Sequence, residues 1–158
     1  MGIDTQTMEQ TFAQYGRTIY RLALQYTRQP PDAEDVLQEV LLERCRRTEP
    51  FQSPEHERRW LLRVTVNCCK KLHGSFWRRH TVALSETLPA QNPEEGELLG
   101  LLEGLPPKYR AVLHLYYYEG YATDEIAAIL GRRAATVRSQ LSRGRALLRD
   151  AWKGAEDV

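Results

Sequence analysis

Residues 123–152, TDEIAAILGRRAATVRSQLSRGRALLRDAW, have the pattern of a short helix, a turn and a long helix. Thr123 is placed to cap the short helix, because threonine is a preferred N-cap residue. The two residues after it are acids, which the helix dipole favours in the first turn. Gly131 interrupts the pattern, and a longer helix is expected over residues 135–152. Its packing side carries four residues at steps of four, three and four: Val137, Leu141, Gly144 and Leu148. This is the spacing of a helix-turn-helix.

The long helix and the turn before it are rich in arginine. Residues 132–149 contain six arginines, and no acid follows Gly131 until Asp150. An arginine-rich helix face is often only a solvated face. After a capped helix and a turn, however, such a helix fits a major groove, where arginine pairs with guanine and serine meets base edges or phosphates. We therefore predict DNA contact. The candidate residues are Arg132, Arg133, Arg138, Ser139, Ser142, Arg143 and Arg145.

The rest of the chain also has helical periodicity, and no run of β-branched residues alternates with polar ones. Further helices are expected over residues 11–26, 32–47, 55–72 and 105–118. In the first of them, Phe12 belongs to the apolar stripe that should pack. Pro30 and Pro31 should end this first helix, and Asp32 is placed to cap the second helix. The sequence therefore predicts an all-α protein.

A linker is expected where the periodicity is lost. Residues 81–96 gain proline, glycine, serine and asparagine. We therefore expect two small helical domains, residues 1–80 and 97–158, joined by a flexible linker. Charge follows a similar division, because residues 81–104 hold five acids and no Lys or Arg, whereas the segments on either side have an excess of basic residues. The net charge of +1 conceals this pattern, which suits a polyanionic partner.

Length and composition exclude several classes of protein. A chain of 158 residues has room for one ordinary domain or two small ones. No apolar run approaches the roughly 20 residues that cross a bilayer, and no signal peptide is evident, so we expect a cytoplasmic protein without membrane insertion. Three cysteines cannot form an even disulfide framework, so we expect reduced thiols. The four histidines are scattered in the sequence and have no metal-ligand spacing, so we expect no metal site. Phosphate-binding and nucleophile motifs are also absent, which argues against an enzyme, a catalytic residue or a cofactor.

Three segments resemble the sigma-70 family of bacterial RNA polymerase sigma factors. Residues 32–40, DAEDVLQEV, resemble the family's polymerase-binding helix, and residues 60–67, WLLRVTVN, resemble its promoter-melting helix. Residues 105–145 are similar to its C-terminal DNA-reading domain. The segments occur in the family's order with only a short linker between them. This organisation is that of the extracytoplasmic-function group, which keeps only the second and fourth sigma domains.

The resemblance implies a role for each part of the chain. Residues 1–80 would bind core RNA polymerase and melt the minus-10 element, and residues 97–158 would read the minus-35 duplex. The implied polymerase contacts are Asp35, Gln38, Glu39 and Leu42. The implied minus-10 contacts are Asn67, Lys70, Lys71, Phe76, Trp77, Arg78 and Arg79. At the minus-35 element the resemblance adds Thr136 to the residues already named. It also implies promoter DNA and an anti-sigma factor as partners, and a monomer when the protein is free.

The residues alone leave other interpretations open. The C-terminal half would look much the same in a stand-alone helix-turn-helix regulator, with residues 1–80 as a dimerising or sensing domain. A helical adaptor that binds only protein would have negligible affinity for DNA. Phe76 and Trp77 would be core residues if they close the first domain, whereas in promoter melting their rings would stack on extruded bases.

Overall fold

The computed structural model describes residues 4–72, 102 and 104–156. The chain divides into two compact units, residues 1–86 and 87–158. Every regular element in the described residues is a helix, which confirms the all-α prediction. The predicted linker and four of the predicted minus-10 contacts, Phe76, Trp77, Arg78 and Arg79, lie outside the described residues.

Three helices form the described part of the first unit: α1 (Thr5–Thr27), α2 (Pro30–Arg46) and α3 (Pro54–Leu72). Helix α1 packs against both others, and α2 packs against α3. Their apolar sides meet in one core, in which Ile19, Val36 and Val40 are fully buried and Leu61 is nearly so. The sides of α2 and α3 that face away from this core remain available for other contacts.

The first helix begins six residues earlier than the periodicity predicts. Asp4 caps it, because its Oδ1 atom accepts hydrogen bonds from the backbone N–H groups of Gln6 at 3.1 Å and Thr7 at 3.3 Å. The first turn is polar, so the hydrophobic pattern does not reveal it. The prediction that Phe12 packs in the core was wrong: its side chain is 55% exposed and lies over Gly16 on the same helix.

The second helix also begins earlier than predicted. Pro30 and Pro31 form its first turn instead of separating two helices, and Gln29 occupies the N-cap position. Proline is tolerated there because the first N–H groups of a helix have no partner within the helix. Asp32 is therefore not the cap; it is a buried residue within the first turn.

The second unit contains α4 (Pro107–Leu113), α5 (Thr123–Leu130) and α6 (Ala134–Glu156). Helix α6 packs against both α4 and α5. Val137 and Leu141 are buried in this contact, as predicted. Gly144 lets α6 approach α4 closely, since a Cβ atom there would lie 3.1 Å from Leu113 Cδ1. Helix, turn and helix over residues 123–156 are thus those of the predicted helix-turn-helix.

The cap of α5 differs from the prediction. Ala122 occupies the N-cap position, and Thr123 is the first helical residue. Alanine has no side-chain acceptor for the N–H groups of the first turn. The helix start is instead stabilised by a side chain within the helix, because the backbone N–H of Ala122 donates to Glu125 Oε1 at 3.1 Å. At the other end, Gly131 has a φ of 69°, a left-handed conformation that suits glycine.

Helix α4 continues into a π-helical turn, His114–Tyr118. In this wider winding, residues four and five apart lie on the same side. His114 consequently stacks on Tyr118, with ring centroids 5.1 Å apart, and its Nε2 atom lies 3.5 Å from Glu119 Oε1. His114 is fully buried. His114 therefore makes buried contacts within the turn. The scattered placement of the histidines in the sequence does not reveal these contacts.

Candidate functional site

An acidic groove runs along α2 and α3 in the first unit. Its volume is about 620 Å³. Its lining includes all four residues predicted to contact polymerase, Asp35, Gln38, Glu39 and Leu42. Leu42, Val64 and Cys68 supply its apolar part, and the carboxylates of Asp35, Glu39 and Glu43 outnumber the single ammonium group of Lys71.

The carboxylates of the groove are only partly neutralised by their own helix. Arg46 Nη1 lies 2.5 Å from Glu43 Oε1 and 3.5 Å from Glu39 Oε1. The hydrogen bond to Glu43 raises the pKa of the Arg46 guanidinium, which stays charged. The Arg46 side chain is 61% exposed, so these ion pairs are solvated and weak. A basic partner could therefore compete for both carboxylates.

Two predicted minus-10 residues line the same groove. Asn67 and Lys71 lie on the last turns of α3, on the side that faces α2. Lys70 lies beside them and is exposed. The structure thus brings the predicted polymerase contacts into one groove with two predicted minus-10 contacts, Asn67 and Lys71. The sequence does not show this proximity.

Two of the three thiols of the first unit, those of Cys68 and Cys69, are buried. Burial raises the pKa of Cys68 to about 11 and that of Cys69 to about 12, and the carboxylates of Glu39 and Glu43 add to the rise at Cys68. Cys45 is half-buried, and all three cysteines are free thiols. The prediction of reduced thiols agrees with these environments.

The exposed side of α6 carries most of the predicted minus-35 contacts. Six of the eight are exposed: Arg133, Thr136, Arg138, Ser139, Ser142 and Arg143. In the part of the chain that the structure describes, neither Arg138 nor Arg143 is paired with an acid. Their charge is therefore available to a polyanion, and α6 is long enough, at 23 residues, to present it along a groove.

Two clefts border this exposed side. The first, which we call the α4–α6 cleft, has a volume of about 380 Å³ and is lined by Lys108, Tyr109, Ala135, Thr136, Ser139, Gln140 and Arg143. The second, which we call the arginine cleft, has a similar volume and is lined by Arg138, Leu141, Ser142, Arg145, Ala146 and Arg149. None of the residues that line either cleft is acidic. A helix in a major groove lies between two phosphate backbones, so acid-free clefts along its sides suit a polyanion.

Arg132 and Arg145, the remaining two, make contacts within the unit. Arg132 Nη1 donates to Lys108 O at 3.1 Å and to Gln140 Oε1 at 2.8 Å. The Arg145 guanidinium lies 4.8 Å from the ring centroid of Tyr116 and 5.6 Å from that of Tyr117, both on the π-helical turn. Both arginines are half-buried. Their predicted contact with DNA therefore competes with contacts inside the protein.

Three residues of the clefts were missed among the predicted contacts: Lys108, Gln140 and Arg149. Arg149 extends the stripe of Arg138, Ser142 and Arg145 by one turn, a position that helical periodicity in the sequence already indicates. No comparable signal exists for Lys108, which lies far from α6 in sequence. In the described ranges no three His, Cys, Asp or Glu side chains are grouped to hold a metal ion, and no helix is long and apolar enough to span a membrane.

Family models match both units. The model of sigma-70 region 2 matches residues 11–81, and the model of sigma-70 region 4 matches residues 95–148. A solved structure of similar fold is the sigma factor RpoE in complex with the anti-sigma factor NepR from Bartonella quintana. That comparison has a TM-score of 0.68 and 20% identity, and it covers 92% of this chain and 96% of the other.

Curated relatives extend the similarity across both units. The ECF RNA polymerase sigma factor SigE of Mycolicibacterium smegmatis is 35% identical over 87% of this chain, which spans 58% of that relative. The RNA polymerase sigma-E factor of Streptomyces coelicolor is 32% identical over 88% of this chain and 84% of its own length. The chain therefore belongs to the extracytoplasmic-function group of the sigma-70 family of RNA polymerase sigma factors.

Proposed function

We propose that this protein is a promoter-specificity subunit of bacterial RNA polymerase. The observation that carries the proposal is that two surfaces of opposite charge occupy the two units of one chain. The first unit offers a groove rich in carboxylates, and the second offers a helix-turn-helix with two basic clefts that no acid lines. The first surface suits a basic protein partner, and the second suits DNA.

The acidic groove is the proposed docking site for core polymerase. Leu42 and Val64 give a partner helix an apolar contact, and Asp35 and Glu39 lie beside them to pair with its basic residues. The resemblance in residues 32–40 assigns the same helix to the polymerase's largest subunit. In this account, Gln38 adds a hydrogen bond at the edge of the contact.

The minus-10 element would meet the last turns of α3. Extruding a base costs a few kcal/mol, and a protein without ATP must recover that cost from stacking and phosphate contacts. Lys70 and Lys71 supply charge there, and Asn67 supplies an amide for a base edge. Because Asn67 and Lys71 line the acidic groove, polymerase docked there would lie next to the bases that must open.

The minus-35 element would be read as duplex by α6. Ser139 and Arg143 line the α4–α6 cleft, and Arg138 and Ser142 line the arginine cleft. Arginine pairs with guanine in the major groove, and serine accepts or donates at either base edges or phosphates. No bond is made or broken, so the protein acts by binding and not as an enzyme.

The proposal also covers regulation and location. The sigma factor RpoE that shares this fold was solved with an anti-sigma factor, and we propose that an anti-sigma factor likewise occupies the present chain until it is needed. Since its targets would be polymerase and chromosomal DNA, we place the protein in the cytoplasm. A monomer is expected when it is free. The alternative of a stand-alone regulator is not favoured, because its N-terminal domain has no reason to match sigma-70 region 2.

Run-off transcription tests the proposal. Purified core polymerase, the full chain and a library of genomic fragments should yield transcripts that start at a small set of promoters with a shared minus-35 sequence. Asn67→Ala should reduce strand opening, measured with permanganate footprinting, while affinity for core polymerase stays unchanged. Identical start sites with and without the chain would reject the proposed function. Loss of core binding in Asn67→Ala would show that Asn67, which lines the acidic groove, belongs to the polymerase contact instead.

A further inference from the structure

Arg132, in the turn of the helix-turn-helix, forms hydrogen bonds with α4 and with α6. Its Nη1 atom donates to the backbone oxygen of Lys108 on α4 and to the side-chain oxygen of Gln140 on α6. The contact with Gln140, at 2.8 Å, is the shorter of the two. Arg132 is half-buried, and the Nη1 group of its guanidinium is committed to these two acceptors.

The hydrogen bond fixes the orientation of the Gln140 amide. A guanidinium has donors only, so it must face the amide oxygen and not the amide nitrogen. The Gln140 Nε2 group keeps its donors, and in the part of the chain described it has no acceptor. Gln140 is therefore a donor toward any ligand in the α4–α6 cleft.

A glutamine held in this way reads DNA differently from a free one. A free glutamine recognises adenine by donating to N7 and accepting from N6, which requires the oxygen and nitrogen to face the base together. Arg132 occupies one of the two lone pairs of the Gln140 oxygen, which weakens that oxygen as an acceptor, whereas the nitrogen keeps both of its donors. The donors that remain match an acceptor, which is either a phosphate oxygen or the N7 and O6 atoms of guanine.

The surroundings of Gln140 favour the same kind of ligand. Lys108 and Arg143 supply cations to the α4–α6 cleft, Thr136 and Ser139 supply hydroxyl groups, and no acid lines it. An acceptor-rich ligand is the one that such a lining would retain. The cleft is open on the exposed side of α6.

We propose that Arg132 is a positioning residue that orients Gln140 as a donor to an acceptor of the minus-35 duplex. Its effect on DNA binding passes through Gln140. The inference rests on the proposed function, deepens it by naming the chemistry that one contact recognises, and replaces the direct contact that sequence reasoning assigns to Arg132.

A double-mutant cycle tests the proposal in holoenzyme assembled from core polymerase and the full chain. The variants are Arg132→Met, Gln140→Met and the double variant, with Lys153→Met as control for loss of an exposed cation on α6. The readout is affinity for a promoter that contains the minus-35 duplex, with thermal unfolding as a check that each variant folds. Gln140→Met should lose about tenfold in affinity and Arg132→Met about fivefold. In the Gln140→Met background, Arg132→Met should change affinity less than twofold, because its effect passes through Gln140.

Two modified duplexes distinguish the sources of the acceptor. If the acceptor is a phosphate, one methylphosphonate linkage should reproduce the loss in wild type and have no effect on Gln140→Met. If the acceptor is guanine, 7-deazaguanine at one position of the minus-35 duplex should reproduce the loss in wild type and have no effect on Gln140→Met. Holoenzyme with Arg132→Met should then tolerate adenine at that position. Full affinity in Gln140→Met, or additive effects in the cycle, would overturn the proposal. Failure of wild-type holoenzyme to start at any promoter would instead reject the proposed function.

Discussion

The acidic groove of the first unit and the basic side of α6 in the second are both exposed helix surfaces, yet they carry opposite charge. In the groove, three carboxylates lie beside apolar side chains, and Arg46 partly neutralises two of them, Glu39 and Glu43, through solvated ion pairs. On α6, arginines line both clefts without an acid between them. A nearly neutral chain can therefore carry two oppositely charged surfaces, because its charge is segregated locally, into one groove of the first unit and along one helix side of the second.

The surfaces also differ in how they are held. The sides of the groove belong to helices whose opposite faces form the core of the first unit. The basic side of α6 also lies opposite buried residues, Val137 and Leu141, but the helix is held in addition by the close approach at Gly144 and by internal contacts of Arg132 and Arg145. Some of the arginines thus position the reading helix, whereas others are available to bind. Sequence composition cannot separate these two groups.

The largest expected effect is on the basic side. The double variant Arg138→Ala and Arg143→Ala removes two unpaired cations from α6, one from each cleft. A base-contacting arginine contributes about 1–3 kcal/mol of discrimination, so the double variant should lose about 2–6 kcal/mol. Promoter competition with holoenzyme, using minus-35 variants, measures this loss. Lys153→Ala on the same helix is the control, and equal promoter choice in both variants would contradict the assignment of the reading side.

The second effect concerns the packing that holds α6. Gly144→Val places methyl groups against Leu113 and Tyr109, which are both buried, and should lower the free energy of unfolding of the second unit by about 1–3 kcal/mol. Gly154→Ala is the matched control, because no atom lies within 4 Å of its new methyl group and alanine favours a helix by up to about 1 kcal/mol. Denaturant unfolding measures both. Equal stability of the two variants would show that α6 does not need the close approach.

The sequence predicted most of the fold because apolar periodicity records which helix sides pack. Ile19, Val36 and Val137 are all buried as their spacing predicts. It failed where polar or proline chemistry decides, at Asp4 and at Pro30, since these helix starts have no apolar signal. Periodicity identifies an apolar stripe but not its width, so it placed Phe12 in the core although it lies at the exposed edge.

The sequence predicts which residue types line the candidate sites but not how they are arranged. The four proposed polymerase contacts lie on one helix and line one groove. Their proximity to Asn67 and Lys71 depends on how α2 packs against α3, which no local pattern records. Likewise, Lys108 reaches the α4–α6 cleft only through the tertiary fold.

The third effect is on the acidic groove. Glu39→Lys reverses one of the carboxylates beside the apolar side chains and should weaken affinity for core polymerase about tenfold, because a basic partner would meet a like charge. Glu34→Lys makes the same change at an exposed position on α2 that does not line the groove, and should bind like wild type. Fluorescence anisotropy against core polymerase measures both affinities. Equal weakening of the two variants would mean that only net charge matters.

The smallest effect is on the start of α1. Asp4→Ala removes the side-chain cap and should lower the free energy of unfolding of the first unit by about 1 kcal/mol. Asp4→Asn retains a capping oxygen and should stay close to wild type. Thermal unfolding of the full chain measures the change. The second unit should be unaffected, and a shift in its transition would contradict the division into two units.

The most direct test of the account measures both activities on both surface variants. Core-polymerase affinity and minus-35 discrimination are determined for Glu39→Lys and for the double variant of Arg138 and Arg143. We predict that each variant loses one activity and keeps the other: Glu39→Lys binds polymerase weakly but, once saturated with it, chooses promoters normally, whereas the arginine variant binds polymerase normally and chooses poorly. Loss of both activities in either variant would contradict the account.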